Sequence, residues 1–179
     1  MGLPEQTVAR KRIHTRQILI EGYKRDDGLW DIEGHLKDIR HSDIPLRTGL
    51  RLAGAALHEM LVRITVDDTL TIQSAAAQTV ASPYPGTCEN IAPDYAKVAG
   101  LRIEAGFRRE VGKLFGGLSG CTHITELLGN ISTVAMQTVV PETEKTSNEK
   151  PGKLDGCHAL DSTGPVVSSY YPAWHQKQK

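Results

Sequence analysis

The sequence is short of aromatics, cysteine and long apolar runs, and each shortage closes off a class of protein. Phe, Trp and Tyr together make up 5% of 179 residues. A core must then be modest and built mainly from aliphatic side chains. Cys88, Cys121 and Cys157 are an odd number at wide spacing. They do not make the disulfide framework of a small secreted domain, and a reducing cytoplasm is the expected compartment. No run of about 18 apolar residues occurs, so no membrane-spanning helix is expected. The start, Met-Gly-Leu-Pro-Glu-Gln, lacks a signal segment, and Gln6 stands where a myristoylation pattern needs Ser or Thr. Neither sign of charge prevails, since Lys+Arg and Asp+Glu each total 21. That balance gives no support to nucleic-acid binding, and Arg10-Lys11-Arg12 reads as a solvated arm. Also missing are a phosphate-binding Gly-x-x-x-x-Gly-Lys, a dinucleotide fingerprint, a Gly-x-Ser-x-Gly elbow and any internal repeat.

What is present reads as a single α+β domain with appendages. Residues 1–9 form a disordered arm, 10–140 the domain, 141–153 a polar linker or loop, and 154–179 a tail whose apolar content predicts that it docks back on the domain. Strands are expected over Ile13–Tyr23, Leu29–Ile39, Ala56–Val66 and Leu70–Val80. Asp26-Asp27-Gly28 and Asp67-Asp68-Thr69 supply the turns between the first and last pairs. In the second strand Trp30, Ile32 and Leu36 face the core, while Asp31, Glu33, His35 and Lys37 face water. In the third, His58, Met60, Val62, Ile64 and Val66 share a face. His41–Gly54 reads as irregular. A short helix starts at Pro93 and stops at Gly100, a second covers Phe107–Phe115, and a long one runs over Cys121–Thr138. Gly129 inside the long helix costs about 1 kcal/mol relative to alanine. The predicted fold is an antiparallel meander of about four strands, covered on one face by two or three helices, with a docked C-terminal tail. The long helix is expected across the small Ala75-Ala76-Ala77 run.

The densest chemical signal is Gly116-Gly117-Leu118-Ser119-Gly120-Cys121-Thr122-His123. A glycine-rich turn brings a thiol and an imidazole to the start of the long helix. Free N–H groups and positive potential there favour thiolate over thiol. Residues two apart on a helix diverge by about 200°, so Cys121 must precede the helix proper for the pair to meet. His58, alone on an apolar strand face, reads either as a satisfied core residue or as a neutral base with a depressed pKa. Glu126 either orients His123 or stabilises the helix start. Asp31, Glu33 and His35 read as a solvated charged face, and Arg16, Arg25, Arg102 and Arg108 as scattered anion anchors.

Several segments resemble an uncharacterised bacterial family, domain-of-unknown-function family 2889. They are Gly22-Tyr23-Lys24-Arg25-Asp26-Asp27-Gly28-Leu29-Trp30-Asp31-Ile32-Glu33, Ser82-Pro83-Tyr84 with Cys88, Gly120-Cys121-Thr122-His123, Asp155-Gly156-Cys157-His158-Ala159-Leu160 and Tyr171-Pro172. The resemblance spans nearly the whole chain and implies no activity. The order of strands, a cysteine at a strand-to-helix junction and a later Cys/His pair is also similar to iron–sulfur cluster scaffolds and their sulfur-acceptor relatives. That likeness implies ligation by Cys88, Cys121 and His123. An earlier cysteine ligand is absent here, with His58 its only stand-in.

Two functional readings follow. In the first, the chain is a cytoplasmic enzyme or binding protein for a small anionic or aromatic organic molecule. Cys121, His123 and His58 form its catalytic site, and no cofactor is specified. In the second, it is a scaffold or sulfur acceptor holding an iron–sulfur cluster or zinc through Cys88, Cys121 and His123. Both exclude nucleic acid and membrane as partners.

Overall fold

The computed structural model describes residues 2–143 and 150–177. The chain divides into two compact units, Met1–Val140 and Pro141–Lys179. The first holds six strands: β1 (His14–Lys24), β2 (Trp30–Arg40), β3 (Ile44–Leu46), β4 (Gly49–Arg51), β5 (Ala56–Val66) and β6 (Ile72–Ala81). A 3-10 run, Cys88–Val98, follows them, then α1 (Phe107–Phe115) and α2 (Thr122–Thr143). The main sheet is antiparallel in the order β1-β2-β5-β6. The α+β meander and its four long strands therefore agree with the sequence reading to within about two residues at most ends.

The meander forms because turn chemistry and alternation agree. Gly28 takes φ 85° between β1 and β2, where Arg25 N–H bonds the Leu29 carbonyl at 2.9 Å. Between β5 and β6 the Asp67 carboxylate accepts N–H bonds from Thr69 and Thr71 at 2.8 and 3.0 Å. That cap holds Leu70 at a φ of 65°. Along β2 the burial alternates strictly: Trp30, Ile32, Leu36 and, at the end, Asp38 are buried. On β5 the same inner face carries His58, Met60, Val62 and Ile64, and helix α2 adds Ile124, Leu127, Leu128, Ile131 and Ala135.

Three expectations change. Residues 41–54 contain the small β3–β4 hairpin, which short length and Pro45 concealed. The helix expected at Pro93 is a 3-10 run beginning at Cys88. Just before its start, Gly86 N–H donates to Glu89 at 2.8 Å. The run packs beside β6. Helix α2 continues to Thr143, through the first residues of the expected linker; residues 144–149 of that linker lie outside the described residues. Tight helix–sheet approaches occur at glycines of β1 and β2, while Ala75 and Ala77 pack, partly buried, against the same core. A Cβ at Gly34 would meet Ile131 Cδ1 at 2.7 Å, and one at Gly22 would strike Thr138. Gly129 is matched by Arg108, whose Nη2 donates to the Gly129 carbonyl at 2.8 Å.

Residues 2–13 form no helix or strand and are exposed. In the second unit Leu154, Ser162 and Val167 are buried. The Asp155 carboxylate accepts from Ser162 N–H at 2.8 Å, Ser162 Oγ at 2.7 Å and Lys150 at 2.9 Å. These bonds, the Lys150 bond first, hold its pKa well below the usual carboxylate range. A short helix, α3 (Pro165–Tyr170), follows. Among the described residues no helix is long and apolar enough to cross a membrane.

Candidate functional site

Beyond the apolar row of Ile18, Leu36 and Met60, the next row on the same face of the sheet is polar. Arg16 on β1 lies opposite Asp38 on β2, and Asp38 lies opposite His58 on β5. All three belong to the inner face, and Asp38 is only 1% exposed. A buried carboxylate needs partners, and this one has them. Its Oδ1 accepts from Arg16 Nε at 2.8 Å and His14 Nε2 at 3.1 Å, and its Oδ2 from Arg16 Nη2 at 2.7 Å. Arg16 also pairs through Nη1 with Glu126 of α2, which ties the first strand to the long helix. A register shift follows directly, between Asp38 and Ile39. Bulges of this kind re-aim side chains at the end of a sheet.

Helix α2 completes the cluster. Thr125 N–H bonds the Cys121 carbonyl at 2.9 Å, so Cys121 sits just before the helix and His123 in its first turn. This offset resolves the divergence expected of residues two apart. Cys121 Sγ and His123 Nδ1 approach to 3.9 Å. Tyr95 fixes the turn: its hydroxyl accepts the Cys121 N–H at 2.7 Å, lies 2.9 Å from the Cys121 carbonyl and meets Thr125 Oγ1 at 2.7 Å. Gly120 is required there, because a Cβ would fall 2.9 Å from that hydroxyl and strike the Phe115 carbonyl. The other nitrogen of His123, Nε2, lies 3.4 Å from Asp38 Oδ2, as does His58 Nδ1. The two imidazoles stack at 3.9 Å between centroids.

The electrostatics favour neutral imidazoles beside a charged acid. Burial holds the His58 pKa below its ordinary value, and neighbouring His123 lowers it further. Burial, then Arg16, does the same for His123. For Asp38, burial alone would raise the pKa. The Arg16 and His14 bonds outweigh it and keep the carboxyl below the usual range. His58 and His123 side chains remain 19% and 20% exposed, so small solutes can reach them.

Of the residues singled out in the sequence, the structure brings together Cys121, His123 and His58, and puts Glu126 and Arg16 at the same cluster. Cys88 does not join them. It opens the 3-10 run, where its carbonyl accepts from Thr79, and the close group of ligand-type atoms among the described residues is Asp38, His58 and His123. The set Cys88, Cys121 and His123 expected from the sequence shares only His123 with that group. Cys157 and His158 belong to the second unit. Asp38 and His14 were missed. The signal for Asp38 was present: it is in phase with Trp30, Ile32 and Leu36, an acid in the apolar register of its strand. Asp31, Glu33 and His35 line the outer face. There they pair with Arg25, Arg63 and Glu59.

Two open cavities flank these features. One of about 550 Å³ lies on the outer face of the sheet, over Leu19, Glu33, Leu61 and Arg63. The other, about 690 Å³, runs along α2 over Arg108, Phe115, Gly117, Thr122 and Glu126. Only the second touches the polar cluster, through Glu126.

Among known proteins, the family model described as a protein of unknown function (DUF2889) matches residues 14–137. No curated protein and no solved structure matches the chain.

Proposed function

The chain belongs to the DUF2889 family, and from the geometry of its site we propose that it is an enzyme acting on a small anionic or aromatic organic molecule, with Cys121 as nucleophile. The observation that carries this is the line from Cys121 Sγ to His123 Nδ1, and from His123 Nε2 to Asp38 Oδ2, at 3.9 and 3.4 Å. A nucleophile beside a base that is itself oriented by a buried carboxylate is the working arrangement of thiol catalysis.

In this reading a neutral His123 takes the Cys121 proton and the thiolate attacks an electrophilic carbon of the substrate. His123 then returns the proton to the leaving group. Catalytic contacts are often loose without substrate and tighten on binding. Asp38 holds the imidazole ring and balances its charge when it carries the extra proton. Glu126 and Arg16 position Asp38 and α2. The groove along α2 has the size of a ligand pocket, and Arg108 supplies a cation suited to an anionic substrate. Three unpaired cysteines fit a reducing compartment such as the cytoplasm. Neither nucleic acid nor membrane is needed as a partner.

The test is thiol reactivity. Each of the three single-cysteine proteins is treated with iodoacetamide near pH 7, and the rates are compared. Cys121 should be the fastest, and His123→Ala should slow it severalfold. Were Cys121 the slowest of the three, it would be a core residue and this reading would fail.

A further inference from the structure

His58 has no part in that relay, yet its Nδ1 is buried and has no hydrogen-bond partner. Such an atom costs about 1–3 kcal/mol in a native protein and calls for an explanation. The surroundings supply one. Asp38 has four lone-pair directions. His14 and Arg16 Nε occupy two on Oδ1, and Arg16 Nη2 occupies one on Oδ2. The remaining direction on Oδ2 is faced by two nitrogens at once, His58 Nδ1 and His123 Nε2, each at 3.4 Å. A single oxygen lone pair cannot hydrogen-bond both in good geometry. A cation placed between them accepts from all three.

We propose that Asp38 Oδ2, His58 Nδ1 and His123 Nε2 bind one zinc-type divalent ion, with a fourth position open to water or an anionic ligand. The distances select the ion's geometry. Zn–N and Zn–O bonds of about 2.0–2.1 Å in a tetrahedron put ligands about 3.3–3.4 Å apart, whereas an octahedron of similar bonds puts neighbours about 3.0 Å apart. The two edges through Asp38 match the tetrahedron. The third pair lies within 4.8 Å, and the rings must bring these nitrogens to the tetrahedral edge when the ion binds.

The donors suit the ion chemically. Two imidazoles, each about one-fifth exposed, turn a ring nitrogen toward Asp38 Oδ2, and that of His58 is buried. Metal-bound carboxylates are normally held by outer hydrogen bonds, the part played here by Arg16 and His14. Charges also balance. Asp38 and Arg16 cancel, Glu126 adds one negative charge, and a divalent ion leaves the site with one net positive charge. Hydroxide or a substrate anion would neutralise it. Three protein ligands with an open fourth position are the pattern of catalytic rather than structural zinc.

This inference deepens the proposed function without depending on the thiol. With the ion on Nε2, a neutral His123 carries its proton on Nδ1. Its Nδ1 proton would then face Cys121 Sγ, so an ion-loaded His123 would orient the thiol rather than act as its base.

The experiment is metal binding by tag-free full-length protein. The protein is stripped with dipicolinate and titrated with Zn²⁺ by calorimetry and with Co²⁺ by visible absorption. One ion per chain is expected, with the intense d–d bands of four-coordinate cobalt. His58→Gln and His123→Asn should each weaken Zn²⁺ binding by ~100-fold or more, while Cys88→Ser and Cys121→Ser bind like wild type. Circular dichroism checks that each variant is folded, and Asp38→Asn serves as a third ligand variant if it folds. No stoichiometric binding by the folded wild type would overturn the site. So would undiminished binding by both histidine variants, or loss in Cys121→Ser. The iodoacetamide comparison, run on metal-free protein, judges the thiol separately, so either proposal can fail alone.

Discussion

The two faces of the same four strands carry similar residues to different ends. On the outer face Glu33 pairs with Arg63 at 2.6 Å and His35 with Glu59 at 2.8 Å. On the inner face, within the same strands, Asp38 gathers Arg16, His14, His58 and His123. The Arg63 side chain is 59% exposed, Asp38 only 2%. Water shares the work of solvating Glu33 and Arg63, so that pair contributes little. Inside, the protein alone must solvate the acid. Every partner is then costly to lose, and every unpartnered atom needs a reason.

The largest effect should come from removing the inner acid. Asp38→Ala leaves Arg16 and His14 with unmatched donors at the helix–sheet junction. It should cost about 3 kcal/mol in urea unfolding, the low end for a broken buried pair because Arg16 is partly exposed. A loss under about 1 kcal/mol would mean that the two faces do not differ.

Next comes the steric difference. Gly34 is on the inner face, with Ile131 and Leu127 within about a methyl's reach of its absent Cβ. Gly34→Ala should cost about 2 kcal/mol through overpacking. An unchanged urea midpoint would show that α2 can shift away from β2.

The pH dependence should separate the faces further. His58 and His123 are held below their ordinary value of about 6.5 by burial. As pH falls, the unfolded chain takes up these protons first. Stability therefore declines with pH from about 6.5 down to the lower folded-state values, then levels off. Asp38 adds a second loss at lower pH. Its folded pKa is also depressed, so its contribution is full above about 3.9 and disappears as pH falls through the folded value. In metal-free protein, His58→Gln should flatten the slope between pH 7 and 5. A slope identical to wild type would show that the slope comes from groups other than His58.

The smallest effect belongs to the outer face. Glu33→Gln should change stability by less than about 0.5 kcal/mol, with the remainder screened by salt. A larger, salt-insensitive loss would reveal that the outer trough is desolvated.

Much of the fold was legible in the chain itself. The alternation of Trp30, Ile32 and Leu36, the Asp-Asp-Gly and Asp-Asp-Thr turns, and the helical spacing of Ile124, Leu127, Leu128 and Ile131 are local signals. Local signals suffice because backbone geometry sets periods of two in strands and 3.6 in helices. The β3–β4 hairpin and the early start of the 3-10 run escaped. The first is a short paired loop, and the second follows a turn held by the Gly86–Glu89 hydrogen bond, neither of which leaves a periodic trace.

The site divides the same way. From sequence alone came the thiol and imidazole at the start of a helix, and an isolated histidine on an apolar strand face. Each is a property of a few neighbouring residues. That His58 stacks on His123, that Arg16, Asp38 and His58 form one row across three strands, and that one oxygen of Asp38 faces a ring nitrogen of each histidine were decided by tertiary structure alone. Strand register and the angle at which α2 crosses the sheet set those distances. Both follow from packing summed over the whole core, through close approaches such as Ile131 over Gly34 and Thr138 over Gly22, and no short stretch of sequence encodes that sum.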